Sequence, residues 1–234
     1  MPDFSPAELT AIALSLKVAC VAALASLPAG IAVAWLLARR RFPGKALLDA
    51  LVHLPLVLPP VVVGYALLVA FGNQGVVGAF LAEYFGVGLA FRWTGAALAS
   101  AIMGFPLMVR AIRLAIESVD RRLEQAAATL GASPVRVFAT VTLPLAWPGI
   151  VAGAVRAFAK ALGEFGATST FGSNIPGETQ TISSAIYGLM QVPGGEGGIW
   201  RLALVAVAIS LLALLASEWL VRRQHGGRDE GHGP

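Results

Sequence analysis

Arg156, Lys160, Glu164 and Thr168 stand four residues apart inside the otherwise apolar run 155–168. On a helix these side chains form one polar stripe. Ionisable groups within an apolar span face the interior of a bundle and pair with one another. Lys160 and Glu164 are one turn apart and are expected to pair, which leaves Arg156 as a cation at the N-terminal end of the stripe, able to face an anion. A structural ion pair at a helix interface is the alternative. A second constellation is 53–65, HLPLVLPPVVVGY. Its prolines remove N–H donors and free carbonyls, which lipid tolerates only beside protein or a water-filled path. The half-helix that starts at Pro60, after Pro59, would offer the positive end of its dipole to an anion; the alternative is a proline kink that shapes the bundle. A third is the polar segment 172–182 with Ser173, Asn174, Glu178 and Thr179, followed by PGGEGG at 193–198. Its hydroxyls and amide could cap a pore exit or dock a soluble partner, or be a solvated turn.

Other chemistries lack their residues. Cys20 is alone, and His53, His225 and His232 are scattered without metal-ligand spacing. No Gly-x-x-x-x-Gly-Lys-Ser/Thr loop occurs, so the chain cannot cradle ATP phosphates by that device. No metal, cofactor or catalytic residue is expected.

The elements that position these residues must be membrane helices. The chain is 57% hydrophobic and 13% charged, against about 25% charged in soluble domains. A bilayer crossing needs about 20 apolar residues. Five runs qualify: 9–38, 47–72, 93–116, 148–171 and 200–221. The expected fold is therefore an all-α integral membrane protein with five transmembrane helices. It would be a single domain over 1–234, with its core at about 9–222 and a polar tail at 222–234. Residues 72–88 are Gly-rich and expected at the outer surface. Lys17 should snorkel toward the outer end of the first span. The start MPDFSPAELT has no basic n-region, so the first run is expected to remain as a span.

Orientation follows from Lys and Arg. With the N-terminus periplasmic, 12 of the 17 fall in cytoplasmic segments, two (Arg92 and Arg201) outside, and three (Lys17, Arg156 and Lys160) within spans. The C-terminus is then cytoplasmic. The formal charge of +4 reads as topology and not as a nucleic-acid footprint.

One long stretch cannot sit in the bilayer. In 121–150, residues 123–130 favour a helix, Gly131 fits a positive-φ C′ position, and Ser133 with Pro134 fits an N-cap and first helical position. A second short helix over 134–142 is expected to end before Pro144. This stretch resembles the cytoplasmic coupling loop of ABC importer permeases, whose pattern is Glu-Ala-Ala, three residues, Gly, nine residues, Ile, one residue, Leu-Pro. Gln125, Ala126 and Ala127 stand six before Gly131, and Val141 precedes Leu143 and Pro144. The departure is Gln125 for the family's Glu, with Glu124 one position early. A plain helix-turn-helix linker is the alternative. HLPLVLPPVVVGY, KALGEFGATSTFGSNIPGETQTI and PGGEGG extend the resemblance to the molybdate branch of type I ABC importer permeases. Sulfate permeases share the first block and depart around the second.

The resemblance implies a type I permease fold with its coupling loop at 121–146, set in the lipid of a bacterial inner membrane. It implies a homodimer, a separate ABC ATPase subunit and a periplasmic molybdate-binding protein, with no nucleic acid and no enzymatic role for this chain. Molybdate import is the implied function; sulfate, thiosulfate or tungstate import is the near alternative. An ATP-independent channel or secondary transporter is the alternative of another class, and would call for inverted repeats, which the sequence does not show.

Overall fold

The computed structural model describes residues 4–229. The chain begins with α1 (Pro6–Arg39), whose start is set locally. The Ser5 hydroxyl accepts from the Glu8 N–H at 3.2 Å, while the Glu8 carboxylate accepts from the Ser5 N–H at 2.6 Å. This reciprocal cap satisfies two donors that a helix start leaves open. The 34 residues of α1 span about 51 Å at 1.5 Å per residue, more than the hydrocarbon core of about 30 Å.

The expected single span 47–72 is broken. It forms α2 (Lys45–Val57) and α3 (Pro60–Phe71), bent by 114°. The cause is the proline pair. Leu58 and Pro59 each precede a proline, and their backbones are extended (ψ 145° and 133°) because a following proline excludes the helical region. Pro60 then restarts the helix at the one position where its missing donor costs nothing. The segment expected as an irregular surface stretch contains α4 (Val76–Phe85), closed by left-handed Gly86.

α5 (Trp93–Ser118) is the central span. It is followed by α6 (Arg121–Thr129), α7 (Pro134–Val137) and α8 (Leu143–Leu162). The expected helix end before Pro144 is not found: α7, a π-helical turn at Phe138–Thr142 and α8 form one continuous helix, Pro134–Leu162. The Leu143 N–H donates to Phe138 O, five residues back. The wider turn relieves the clash that Pro144 would otherwise make with the preceding turn, so the helix passes through the proline.

The expected span 148–171 is also divided. α8 ends at Leu162, and α9 (Gly166–Gly172) is a separate short helix. α10 (Ile182–Leu189) and α11 (Glu196–Asp229) complete the order. The backbone of the expected tail continues α11 to Asp229, and 230–234 lie outside the described residues. Among the described residues, four helices are long and apolar enough to cross a membrane, or five if the bent α2–α3 pair is one broken span.

α5 packs between α1 and α8 through small residues. Gly104 lies against Ala157, and a Cβ at Gly153 would come within 3.0 Å of Ile112 Cγ1 and Met108 O. Such contacts let helices associate in lipid, where no hydrophobic force drives them together. Met108, Val109, Ile112 and Ile116 of α5 are buried there with Leu37 and Ile150. Two polar contacts fasten the end of the bundle where α1 starts. Arg201 of α11 holds Glu8 at 2.7 Å, and the Ile182 N–H at the start of α10 donates to Ser15 Oγ of α1 at 2.7 Å.

Candidate functional site

Two places concentrate the residues singled out by sequence. The first is the break between α8 and α9. Glu164 is 2% exposed there. Its carboxylate accepts from Lys160 Nζ at 2.6 Å and from the Ala167 N–H at 3.1 Å. It thus pairs with the end of α8 and satisfies an open donor in the first turn of α9. Thr168 Oγ1 donates to the carbonyls of Glu164 and Phe165 at 3.1 and 3.0 Å. Lys160, Glu164 and Thr168 therefore do converge, but across a helix break and not along one continuous stripe. Arg156 is exposed and has no ion pair or hydrogen bond among the described residues.

α9 lies on α3. A Cβ at Gly64 would meet Thr170 Cβ at 2.8 Å, and a Cβ at Gly166 would meet Pro60 Cβ at 2.8 Å. The starts of the two half-helices, at Pro60 and at Gly166, thus touch, two residues from Glu164. Pro59 and Pro60 are exposed at this junction. The spacing of prolines and of the i,i+4 pair is readable in the sequence; their contact is not.

The polar loop after α9 divides in two. Asn174 and Glu178 are exposed and Ser173, at φ 76°, is half-buried. Thr179 is 2% exposed, and its hydroxyl accepts from the Ile175 N–H at 2.9 Å. Thr179 locks its own turn from the buried side. Lys17 is exposed, and its ammonium stands 3.7 Å over the Trp93 ring, a favourable cation–π contact.

The second place is the loop 121–146. Asp120 caps α6 by accepting from the Arg122 N–H at 2.9 Å. Gly131 takes φ +85° with nothing within 4 Å of an added Cβ, and Ser133 accepts from the Arg136 N–H at 3.4 Å ahead of Pro134. The helix, glycine turn and second helix start are as the sequence predicts; Leu143 and Pro144 instead lie inside the continuous helix. Gln125 and Ala126 are exposed, and Ala127 is half-buried. Leu130 and Val135 are 88% and 77% exposed, and Arg121, Arg122 and Arg136 stand exposed around them. An apolar tip with a basic rim, projecting from the end of a membrane bundle, is the form of an interaction surface. Glu124 turns the other way, toward Arg39 and Thr142. Sequence reasoning missed Arg39, Thr142, Ser15 and the Glu8–Arg201 pair, because their partners are distant in the chain.

This bundle of broken and continuous spans, carrying a Gly-turned loop at one end, is that of a transporter's membrane subunit. Residues 26–226 match the family described as binding-protein-dependent transport system inner membrane component, and the chain belongs to that family. It is 62% identical over 223 residues to the molybdenum transport system permease protein ModB of Escherichia coli (strain K12), covering 94% of this chain and 97% of that one. It is 56% identical over 225 residues to ModB of Haemophilus influenzae, covering 96% and 98%. To the sulfate transport system permease protein CysT of Salmonella typhimurium it is 36% identical over 231 residues, covering 97% and 81%. Among solved structures, the inward-facing MetNI methionine ABC transporter superposes with a TM-score of 0.70 at 17% identity, covering 92% of this chain and 94% of that one. A bacterial ABC transporter that imports alginate superposes with a TM-score of 0.63 at 20% identity, covering 94% and 80%. The fold is that of the type I ABC importer permeases.

Proposed function

We propose that this chain is the membrane-spanning permease of an ATP-driven importer that carries molybdate from the periplasm to the cytoplasm. The observation that carries this reading is the 62% identity to a molybdenum permease over 94% of the chain, against 36% to a sulfate permease over 97%. Two copies form the pathway within membrane lipid. A separate ABC ATPase subunit hydrolyses ATP, and a periplasmic molybdate-binding protein delivers the oxyanion. The chain itself is a transport subunit and not an enzyme.

In this reading Gln125, Ala126, Leu130 and the Gly131 turn enter a cleft of the ATPase whose wall is apolar and whose rim is acidic, matching the tip described above. Ala127, half-buried, packs the loop from behind. The junction of α3 and α9, with Pro59, Pro60, Lys160, Glu164 and Thr168, lies along the translocation path, and Arg156 offers a free cation below it. Ser173, Asn174 and Glu178 lie on the face that receives the binding protein.

The test is copurification of an ATP-binding subunit with the tagged permease, then molybdate uptake in competition with sulfate. Molybdate should be taken up with excess sulfate competing weakly. Equal competition would move the assignment to the sulfate permeases, and uptake without any ATPase subunit would end the importer reading. Orientation has its own check. Reporter fusions at Lys45, Ser133 and Gly227 should read cytoplasmic, and fusions at Gly75 and Gly194 periplasmic. A periplasmic Ser133 would place the loop on the wrong side for an ATPase.

A further inference from the structure

Three helices and the loop 121–146 meet at one carboxylate. Glu124 of α6 forms an ion pair with Arg39 at the end of α1: Nη2 lies 3.1 Å and Nε 3.2 Å from Oε1. The same oxygen accepts from Thr142 Oγ1 at 2.6 Å. Thr142 is 1% exposed and closes the π turn that leads into α8. Arg39 Nη2 also donates to the carbonyl of Val119, just past the end of α5, at 3.0 Å. The side chains of Arg39 and Glu124 are 9% and 18% exposed, so the pair is largely withdrawn from water. It forms the floor of a cleft of about 350 Å³ that Trp35, Arg121, Gln125 and Phe138 also line. Trp35 is wedged there, edge-on to Phe138 at 5.9 Å and under the Arg40 guanidinium at 5.2 Å.

The geometry points to Glu124 as the positioning residue that makes the loop rigid with the spans, so that a displacement of α6 moves α1, α5 and α8 together. Without it, α6 is joined to the bundle only by short segments, Val119–Asp120 on one side and 130–133 on the other. A helix of nine residues with no buried residue of its own has little else to hold its angle. The bonds on Glu124 supply that hold. Charge-assisted bonds from Arg39 and a short bond from Thr142 fix one carboxylate oxygen in three dimensions. The π turn is part of the device, because its extra residue in the turn sets the register that brings Thr142 onto Glu124. Gln125 faces outward and is free for a partner, so the side chain beside it holds the loop to its own subunit. This assignment deepens the coupling reading of the loop and rests on it.

Two measurements test it. In the first, a nitroxide is placed at Ala128 of the detergent-solubilised permease in a Cys20→Ser background, with no ATPase present. Glu124→Ala should raise the label's mobility, and the exchange Arg39→Glu with Glu124→Arg should reverse most of the rise. In the second, the complete transporter in proteoliposomes is assayed with molybdate and ATP. Glu124→Ala should keep wild-type membrane abundance and ATPase copurification while molybdate carried per ATP falls roughly tenfold or more, because α6 loses its hold on the spans. The exchange should recover much of that loss. An immobile label in Glu124→Ala, or no recovery by the exchange in either assay, would overturn the assignment. So would loss of the ATPase subunit with an immobile label, which would mean that the carboxylate touches the ATPase. Failure of the coupling reading looks different: Gly131→Asp would then transport normally, while the label at Ala128 would still report whether Glu124 holds the helix.

Discussion

Gly131→Asp is expected to leave the permease inserted at normal abundance and to reduce oxyanion uptake by roughly a hundredfold, since an unpaired charge at an interface costs several kcal/mol. The backbone contributes little to this loss. Gly131 has φ +85° with open space around an added Cβ, and aspartate is among the residues that enter the left-handed region most readily. Folding should therefore survive. The loss comes from the surface. Gly131 follows Leu130, which is 88% exposed, and the nearby Val135 is 77% exposed. A carboxylate there would have to lose its water inside an apolar cleft, and the acidic rim expected opposite Arg121, Arg122 and Arg136 would repel it. Gly131→Ala separates the two effects. It adds the strain of a Cβ at positive φ, about 1 kcal/mol, without the charge, and should retain most of its uptake. Ala126→Trp, on the exposed face of α6, should behave like Gly131→Asp by holding the helix out of the cleft, whereas a change at half-buried Ala127 would disturb the loop itself. Membrane abundance, ATPase copurification and uptake are measured for each. Normal uptake by Gly131→Asp would mean that energy does not enter the membrane through this loop.

Lys160→Ala is expected to be worse than the double change Lys160→Ala with Glu164→Ala. Glu164 is 2% exposed, so the single change leaves a carboxylate out of water with only the Ala167 N–H for a partner. Breaking a buried pair by removing one partner costs about 3–5 kcal/mol. The Lys160 side chain is 31% exposed, and the cost here should be smaller, about 1–3 kcal/mol, because water reaches the site. The double change leaves no charge, only an unmet donor at the start of α9. The asymmetry gives a further check: Glu164→Ala alone should be milder than Lys160→Ala, since the ammonium can turn to water and the carboxylate cannot. Thermal inactivation of the solubilised permease and uptake at matched abundance would be measured together. A double mutant as impaired as Lys160→Ala, or more so, would remove the pair from the account of this junction.

The legible parts of this protein are those decided within a few residues. Composition alone requires apolar helices. The i,i+4 spacing of Lys160 and Glu164 brings the pair within reach on any helical turn. Gly131, Ser133 and Pro134 set their turn because positive φ, capping and a missing donor are properties of single residues. The proline pair marks where the second span is interrupted for the same reason. Tertiary structure decided how far those local signals go. Beyond the 114° bend at Pro59–Pro60, α3 packs on α9, with Gly64 and Gly166 admitting the close approach. Pro144 failed to stop its helix because a π turn absorbed it, and that turn carries Thr142 onto Glu124 of another helix. The division at Gly163–Phe165 lets α9 start at Gly166 against Pro60 of α3, a contact between distant parts of the chain. The anchor of α6 joins residues 85 apart in sequence, Arg39 and Glu124. Contacts of that kind leave no period in the chain: each partner reads alone as an ordinary charged residue at a helix end, and only the packing of α1 beside α5 and α8 brings them together.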